Sequence, residues 1–260
     1  MRRIEQRNCL ATLLVAICAL AGAAAQAEVH ATDEFESGAT RPVSVALLPA
    51  HVVLMKQKMI RRSNEVEEAG ELEGHLTAAV ASELTARGYD VRVLDANAIS
   101  ADARLQELVV DADRRYAETL TNIMSRISKK RVTRREYNAG DSMKLLASHL
   151  GVDGVAFVRM DVVAAGKAVQ ALNFGIGGTQ TMMNVSFIDG TSADIEAYVT
   201  LPVMRRGKLA GGYEDMMKDP DVEMARYASA TLDDLPFADR SARASQSDDD
   251  VLSDLEGLLQ

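Results

Sequence analysis

The stretch that decides the fold runs from Leu146 to Met160 and reads LASHLGVDGVAFVRM. It begins inside a predicted helix, Asp141 to Leu150, whose apolar residues recur on one face. Gly151 follows at the place where the end of a helix favours glycine. The apolar run Val152 to Val163 then predicts a strand. A helix that leads directly into a buried strand is typical of an α/β domain.

The chain before this stretch alternates between strand and helix patterns in the same way. Pro42 to Ala50 (PVSVALLPA) predicts a buried strand, and Glu71 to Arg87 predicts an amphipathic helix that ends at Gly88. Tyr89 to Leu94 (YDVRVL) alternates polar and apolar residues and predicts a second strand. The interpretation of His51 to Gly70 stays open between an extension of the first strand and a loop.

The longest apolar pattern predicts one helix from Ala101 to Lys130, about 45 Å long at about 1.5 Å per residue. We expect its stripe to pack on the sheet. A break near Val110, and self-association as a coiled coil, are the alternatives. The stripe consists of Leu105, Val109, Ala112, Tyr116, Leu120, Ile123 and Ile127.

After the deciding stretch, Thr181 to Ile188 and Ala193 to Leu201 predict a β-hairpin around Asp189-Gly190. Pro220 to Leu235 predicts a last helix, which Pro236 ends. The sequence therefore predicts an α/β fold over residues 42–236. It has a single mixed β-sheet flanked by helices, one of them long (about 101–130).

The first 27 residues have the three parts of a secretory signal peptide. Arg2, Arg3 and Arg7 are basic, and Leu10 to Ala25 is apolar and shorter than the roughly 20 residues that span a bilayer. Ala25-Gln26-Ala27 fits the small-x-small cleavage pattern. We expect cleavage near Ala27, a periplasmic location and a flexible lead-in over residues 28–41, with a retained membrane anchor as the alternative.

Both cysteines, Cys9 and Cys18, lie in the leader, so the mature chain is expected to contain none. Ile17 precedes Cys18, where lipidation requires a small residue, so a lipid anchor is not expected. Loss of the leader, which carries three arginines and Glu5, changes the formal charge from −9 to −11. A chain this acidic is not expected to bind nucleic acid.

The sequence predicts no catalytic residue, metal site or cofactor. The four histidines of the mature chain have no metal-ligand spacing, and we interpret His75 and His149 as polar residues at helix edges. Asp161 and Asp189 are the carboxylates most worth testing. The glycines at 175, 177 and 178 have no helix pattern after them, as a phosphate-binding loop requires.

Three segments are candidate contact surfaces. The first is a basic run of Arg126, Lys129, Lys130, Arg131, Arg134 and Arg135, either a solvated helix end or a docking site for an acidic partner or an anionic envelope component. The second, 168–183, carries the alternating apolar residues Leu172, Phe174 and Ile176, which either pack in the core or form a contact surface for a partner or a membrane. The third is a disordered acidic tail, 237–260, with a short amphipathic helix that docks on its own domain or on a partner. The tail's candidate residues are Leu252, Leu255, Leu258 and Leu259.

Three further patterns accompany the deciding stretch. They are the strand VSVALLP (Val43 to Pro49) before it, and the hairpin VSFIDGTSADIEAYVTL (Val185 to Leu201) and the helix before Leu235-Pro236 after it. In this order the patterns resemble the bacterial envelope α/β domains of the curli secretion channel subunit, the N-terminal domain of the Tol-Pal periplasmic protein and related outer-membrane assembly lipoproteins. The resemblance implies a protein that is not an enzyme and that acts through protein contacts. The chain departs from many members in lacking a lipobox cysteine and in its long helix.

The function predicted from these features is that of a non-enzymatic periplasmic protein. It would act through protein–protein contacts in outer-membrane assembly, export or wall regulation. The partner is expected to be another envelope protein, and peripheral outer-membrane association and self-association stay open. The alternatives are a periplasmic hydrolase with a site built from loops, and a membrane-touching oligomeric export subunit.

Overall fold

The computed structural model describes residues 27–57, 62–165, 179–206 and 213–238. Strands in these ranges form one mixed, eight-stranded sheet, which confirms the predicted fold class. The strands are β1 (Glu28–Ala31), β2 (Ser44–Leu47), β3 (His51–Gln57), β4 (Arg62–Asn64), β5 (Asp90–Val93), β6 (Gly154–Ala165), β7 (Thr179–Asp189) and β8 (Ile195–Arg206).

Strand β6 lies in the middle of the sheet. One edge pairs antiparallel with β7, which is followed by β8 and β1. The other edge pairs parallel with β2 and then with β3, while β5 lies outside β2 and β4 outside β3. Pro49 separates β2 from β3, because proline has no amide hydrogen for a strand ladder. The next amide, of Ala50, donates to the Thr77 hydroxyl at 2.9 Å.

Helices cover the sheet on both faces. One buried cluster joins the sheet to α1, α2, α7 and α8, and a second joins it to α3, α4, α5 and α6. We call these two sides the α2 face and the α4 face. The helices are α1 (Asp33–Ser37), α2 (Val66–Ala86), α3 (Ala96–Ala101), α4 (Ala103–Arg126), α5 (Lys129–Thr133), α6 (Asp141–Leu150), α7 (Tyr213–Lys218) and α8 (Pro220–Leu232). None of the helices in the described ranges is long and apolar enough to cross a membrane.

Within the deciding stretch, a glycine ends the helix and an aspartate holds two strands side by side. Gly151 ends α6 with a φ of 65°, a left-handed conformation that glycine adopts without strain. The Asp153 carboxylate accepts hydrogen bonds from the Ser44 amide at 2.9 Å and the Ser44 hydroxyl at 2.8 Å. These bonds fix the start of β2 beside the start of β6. A Cβ on Gly190 would lie 2.6 Å from the Asp153 carbonyl oxygen, so the turn after β7 requires glycine.

The expectation of a flexible lead-in over residues 28–41 is wrong. Residues Glu28–Ala31 form β1 and pair antiparallel with β8. Phe35 of α1 is fully buried, and its ring centroid lies 5.8 Å from that of Phe187. The segment is ordered because it completes the core over β7 and β8, a contact that its own short pattern does not reveal. The ordered domain therefore begins before residue 42.

The long helix is shorter than predicted. It is divided into α3, α4 and α5, and α4 ends at Arg126 because Ile127 is extended, with a ψ of 139°. Asp102 begins α4: its carboxylate accepts hydrogen bonds from the amides of Arg104 and Leu105. The alternative of a break near Val110 does not occur, since α4 continues through this residue. Packing of the stripe on the sheet is confirmed by the burial of Leu105, Ala112, Tyr116, Leu120 and Ile123.

The remaining boundaries differ by a few residues. The open segment 51–70 contains β3, β4 and the start of α2 at Val66, five residues before the predicted start. Helix α8 ends at Leu232, three residues early, although Leu235 is still buried. Asp189 has a turn role, since its carboxylate accepts from the Thr191 amide at 2.9 Å. Asp189-Gly190 belongs to the turn between β7 and β8, which is longer than the two-residue loop of a tight hairpin.

Candidate functional site

The two faces of the sheet are covered to different extents. On the α2 face, alternate residues of β6 from Ala156 to Val162 are buried in one cluster. On the α4 face the cluster stops at Phe157 of β6 and Tyr198 of β8. The next β6 residues on this face are Arg159 and Asp161, and both are partly exposed. Among the described helices, none buries this half of the α4 face.

The strand register brings seven residues together on this half. Arg159 is paired with Asn184 on β7, and Asp161 lies between Val53 on β3 and Met182 on β7. Two residues further along the same strands, Val163 is paired with Met55. Paired residues on neighbouring strands share a face of the sheet. We call this set the open face: Val53, Met55, Arg159, Asp161, Val163, Met182 and Asn184.

An ion pair lies at the centre of the open face. The Arg159 Nε lies 3.0 Å from one Asp161 carboxylate oxygen, and its Nη2 lies 2.9 Å from the other. The two side chains are 28% and 17% exposed, so both charges are still reached by solvent. The hydrogen bonds that Arg159 donates to Asp161 raise the pKa of Arg159 further, and the guanidinium stays charged. A bidentate pair of this kind fixes the direction of both side chains.

Asn184 is a buried amide beside this pair. Only 1% of the residue is exposed, and neither Nδ2 nor Oδ1 has a hydrogen-bond partner within the described chain. An unpaired buried amide costs about 1–3 kcal/mol. The open face therefore has a polar group at its floor that is able both to donate and to accept.

Two tyrosines border the open face where α4 crosses the sheet. The Tyr116 ring stacks on Phe157 at 4.1 Å, and its hydroxyl lies 2.7 Å from the Ser186 hydroxyl. Burial raises the pKa of Tyr116 to about 12. Burial, and then the neighbouring Tyr116 and Asp161, raise the pKa of Tyr198. Both phenols are therefore neutral at ordinary pH.

Metal-binding side chains do not gather at this site. The described residues contain no group of three or more histidine, cysteine, aspartate or glutamate side chains placed to hold a metal ion. The predicted helix-edge roles of two histidines are confirmed: His75 contacts Asp221 at 2.6 Å, and His149 contacts Asp102 at 2.9 Å. Both pairs join one helix to another at the surface.

The predicted basic run lies at the end of α4, along α5 and in the following turn. Lys129 contacts the Glu36 carboxylate at 2.7 Å, and Arg135 contacts that of Glu196 at 3.4 Å. Arg131 and Arg134 both approach the carboxylate of a single glutamate, Glu136, at 3.5 and 3.9 Å. Acidic groups of the same chain therefore neutralise part of the run.

The candidate residues of the other two predicted surfaces lie outside the described residues, although 179–183 of the second surface lies in β7 and 237–238 of the third is described. Leu172, Phe174 and Ile176 belong to the range 166–178, and the tail residues Leu252, Leu255, Leu258 and Leu259 belong to 239–260. The glycine cluster at 175–178 is outside as well. These candidates stay predictions.

Sequence reasoning identified Asp161 but missed Arg159 and Asn184. The sequence VRMDV over 158–162 has two charges at alternate positions of an apolar strand, which indicates a change of environment on one face. That signal was available. The position of Asn184 beside Arg159 depends on the β6–β7 register and could not be inferred from the sequence.

Comparison with known proteins assigns no family. No family model matches the chain, and no curated protein matches it. Similar solved structures include a PelC dodecamer from Paraburkholderia phytofirmans, with a TM-score of 0.36, 13% identity, and coverage of 79% of this chain and 95% of that one. Another is the LpoB C-terminal domain from Salmonella enterica, with a TM-score of 0.28, 11% identity, and coverage of 64% and 84%. The resemblance to envelope domains stays a prediction.

Proposed function

We propose that this chain is a non-enzymatic protein of the bacterial cell envelope. It is exported to the periplasm and acts through protein–protein contacts in outer-membrane assembly, export or wall regulation. The observation that carries the proposal is the open face, where a bidentate ion pair and an unpaired amide lie among apolar side chains that no described helix buries. The open face is the surface at which the partner binds.

The composition of the open face suits a protein partner. Val53, Met55, Val163 and Met182 are partly exposed and belong to neither buried cluster. Apolar area around a few fixed polar groups is the usual composition of an interface centre. The groups project from paired strands, so they are held in place before binding, which lowers the entropy that binding must overcome.

The position of β1 is compatible with the proposed cleavage of the leader. Strand β1 begins at Glu28, the residue that follows the predicted cleavage site at Ala27. Cleavage there leaves all of β1 on the mature protein. N-terminal sequencing of protein recovered from the periplasmic fraction should begin at Glu28, and a chain that keeps the leader would contradict this part of the proposal.

Photo-crosslinking in cells tests the open face. A photoreactive residue at Met182 or Val163 should give a discrete adduct with one envelope protein, identified by mass spectrometry. Val222 of α8 is the control, because it is 53% exposed and α8 packs on the opposite face. Equal labelling from Val222, or no adduct from either open-face position, would overturn the proposal.

The two alternatives predict other results. A periplasmic hydrolase predicts turnover of a wall, lipid or phosphoester substrate that a single carboxylate change, such as Asp161→Asn, abolishes. A membrane-touching oligomeric subunit predicts adducts between copies of the chain and extraction only with detergent. Either outcome contradicts the proposed function.

A further inference from the structure

The basic run forms a surface with excess positive charge in an acidic protein. We call it the basic corner: Arg126, Lys129, Lys130, Arg131, Arg134 and Arg135. Within the described residues, three carboxylates contact these six cations, those of Glu36, Glu136 and Glu196, and the carboxylate of Asp33 also acts on Lys129. The whole chain carries a formal charge of −9. The side chains of Lys129 and Arg134 are 52% and 60% exposed, so the corner is open to a second acidic group.

The described chain ends close to this corner. The carbonyl of Phe237 accepts from the Arg41 guanidinium, and the Ala238 amide donates to the Arg87 carbonyl at 3.0 Å. Arg41 also donates to the Glu36 carbonyl at 2.6 Å. The Glu36 carboxylate in turn contacts Lys129. Phe237 is therefore connected to the basic corner through only two intervening residues.

The sequence after Ala238 has the charge and length to reach the corner. Asp248, Asp249 and Asp250 come first in a run that also contains Asp254 and Glu256, and no basic residue follows Arg243. Asp248 is ten residues beyond Ala238. Ten residues span at most about 35 Å, which exceeds the distance bridged by two side chains.

We propose that the acidic tail of this chain, residues 248–256, binds the basic corner of the same molecule. Single exposed ion pairs contribute only about 0–1 kcal/mol. The short connection compensates for this weakness, because it holds the tail at an effective concentration in the millimolar range. The bound tail covers the corner and competes with any anionic partner for it. This proposal is independent of the open face, which lies on a different part of the molecule.

Paramagnetic relaxation enhancement on the full mature chain tests the proposal. In the chain that begins at Glu28, Ser253→Cys is the only cysteine, and a nitroxide is attached there. At about 0.02 M salt the amide signals of α5 should lose intensity, while those of α8 should not. At about 0.5 M salt, where charges are screened within a few ångströms, the loss should disappear.

Charge variants provide the matched control. D248N/D249N/D250N should abolish the intensity loss at α5. D233N/D234N/D239N removes the same number of charges on the N-terminal side of residues 248–256 and should leave the loss unchanged. Unchanged signals at low salt, or equal effects of the two triple variants, would overturn the proposal.

A mixed sample distinguishes the same molecule from a second copy. Isotope-labelled protein without nitroxide is combined with unlabelled protein that carries it. Intensity loss at α5 in this mixture means that the tail binds another copy, and this also overturns the proposal. No loss in the mixture, together with loss in the doubly labelled protein, supports it.

Discussion

The carboxylate of Glu196 lies 3.4 Å from the guanidinium of Arg135, although only 2% of the Glu196 side chain is exposed. The same carboxylate accepts hydrogen bonds from the hydroxyls of Thr32, at 2.5 Å, and Thr40, at 3.0 Å. One buried charge therefore joins β8 to the N-terminal segment and to the basic corner. Arg135 itself adopts a φ of 53°, in the left-handed region.

Replacing Glu196 should loosen the N-terminal segment. Glu196→Ala leaves two hydroxyls and a guanidinium without their shared acceptor, and we expect a loss of about 2–4 kcal/mol in the free energy of unfolding. Urea unfolding measures the loss, and hydrogen exchange should speed up in β1 and α1. Glu136→Ala is the control, because it removes only half-exposed ion pairs and should cost less than about 1 kcal/mol. Equal losses would contradict this account.

Replacing two different glycines with alanine should change the stability of the fold in opposite directions. A Cβ at Gly190 would lie 2.6 Å from the Asp153 carbonyl oxygen and 2.7 Å from the Ala147 Cβ, so Gly190→Ala should destabilise the fold by about 1–3 kcal/mol. Gly70 lies inside α2 with nothing within 4 Å of an added Cβ. Gly70→Ala should therefore stabilise the protein by about 0.5–1 kcal/mol. Thermal or urea unfolding of both variants is the measurement.

Removing the Asn184 amide should weaken partner binding without lowering the free energy of unfolding. Asn184→Leu replaces an unpaired buried amide with an apolar side chain, so the free energy of unfolding should stay equal or rise by about 1 kcal/mol. Crosslinking from Met182 should decrease, since the floor of the open face loses its polar group. Ser186→Ala, which removes the hydroxyl partner of Tyr116, should cost about 1 kcal/mol and leave crosslinking intact. A large destabilisation by Asn184→Leu would show that the amide is paired.

Two buried tyrosines predict a loss of stability at alkaline pH. Burial raises the pKa of Tyr89 and that of Tyr116 from 10.0 to about 12. Between these values the unfolded chain has released the phenolic protons and the folded chain has kept them. The stabilisation is therefore complete below pH 10 and is lost as the pH rises towards 12. Unfolding measured from about pH 8 to about pH 11.5 should show a shallower decline for Y89F/Y116F than for the unchanged chain; parallel curves would contradict the prediction.

The sequence was most informative where a pattern is local. The helix ending at Gly151, the apolar strand after it and the stripe from Leu105 to Ile123 follow from periodicity and from the conformational freedom of glycine. These features require no knowledge of distant residues. They were sufficient to predict an α/β fold with a single mixed sheet.

The candidate site depends on relations between distant residues. Asp161 was visible as a charge in an apolar strand, but its neighbours Val53 and Met182 are set by strand register. The same holds for the lead-in, where the burial of Phe35 depends on Phe187, more than 150 residues away. A short segment that gains its order from such a contact has no periodicity of its own to reveal it.

By itself, the sequence determined which segments form helices and strands, because backbone preference and apolar periodicity act over a few residues. It also determined the excess of acidic charge and the position of both cysteines within the first 18 residues. Only the tertiary structure decided which half of the α4 face no described helix buries and which carboxylates contact the basic corner. It also decided that Phe237 is connected to that corner through Arg41 and Glu36. These properties depend on how the strands pair and where the helices end, and both are fixed by packing of the whole domain.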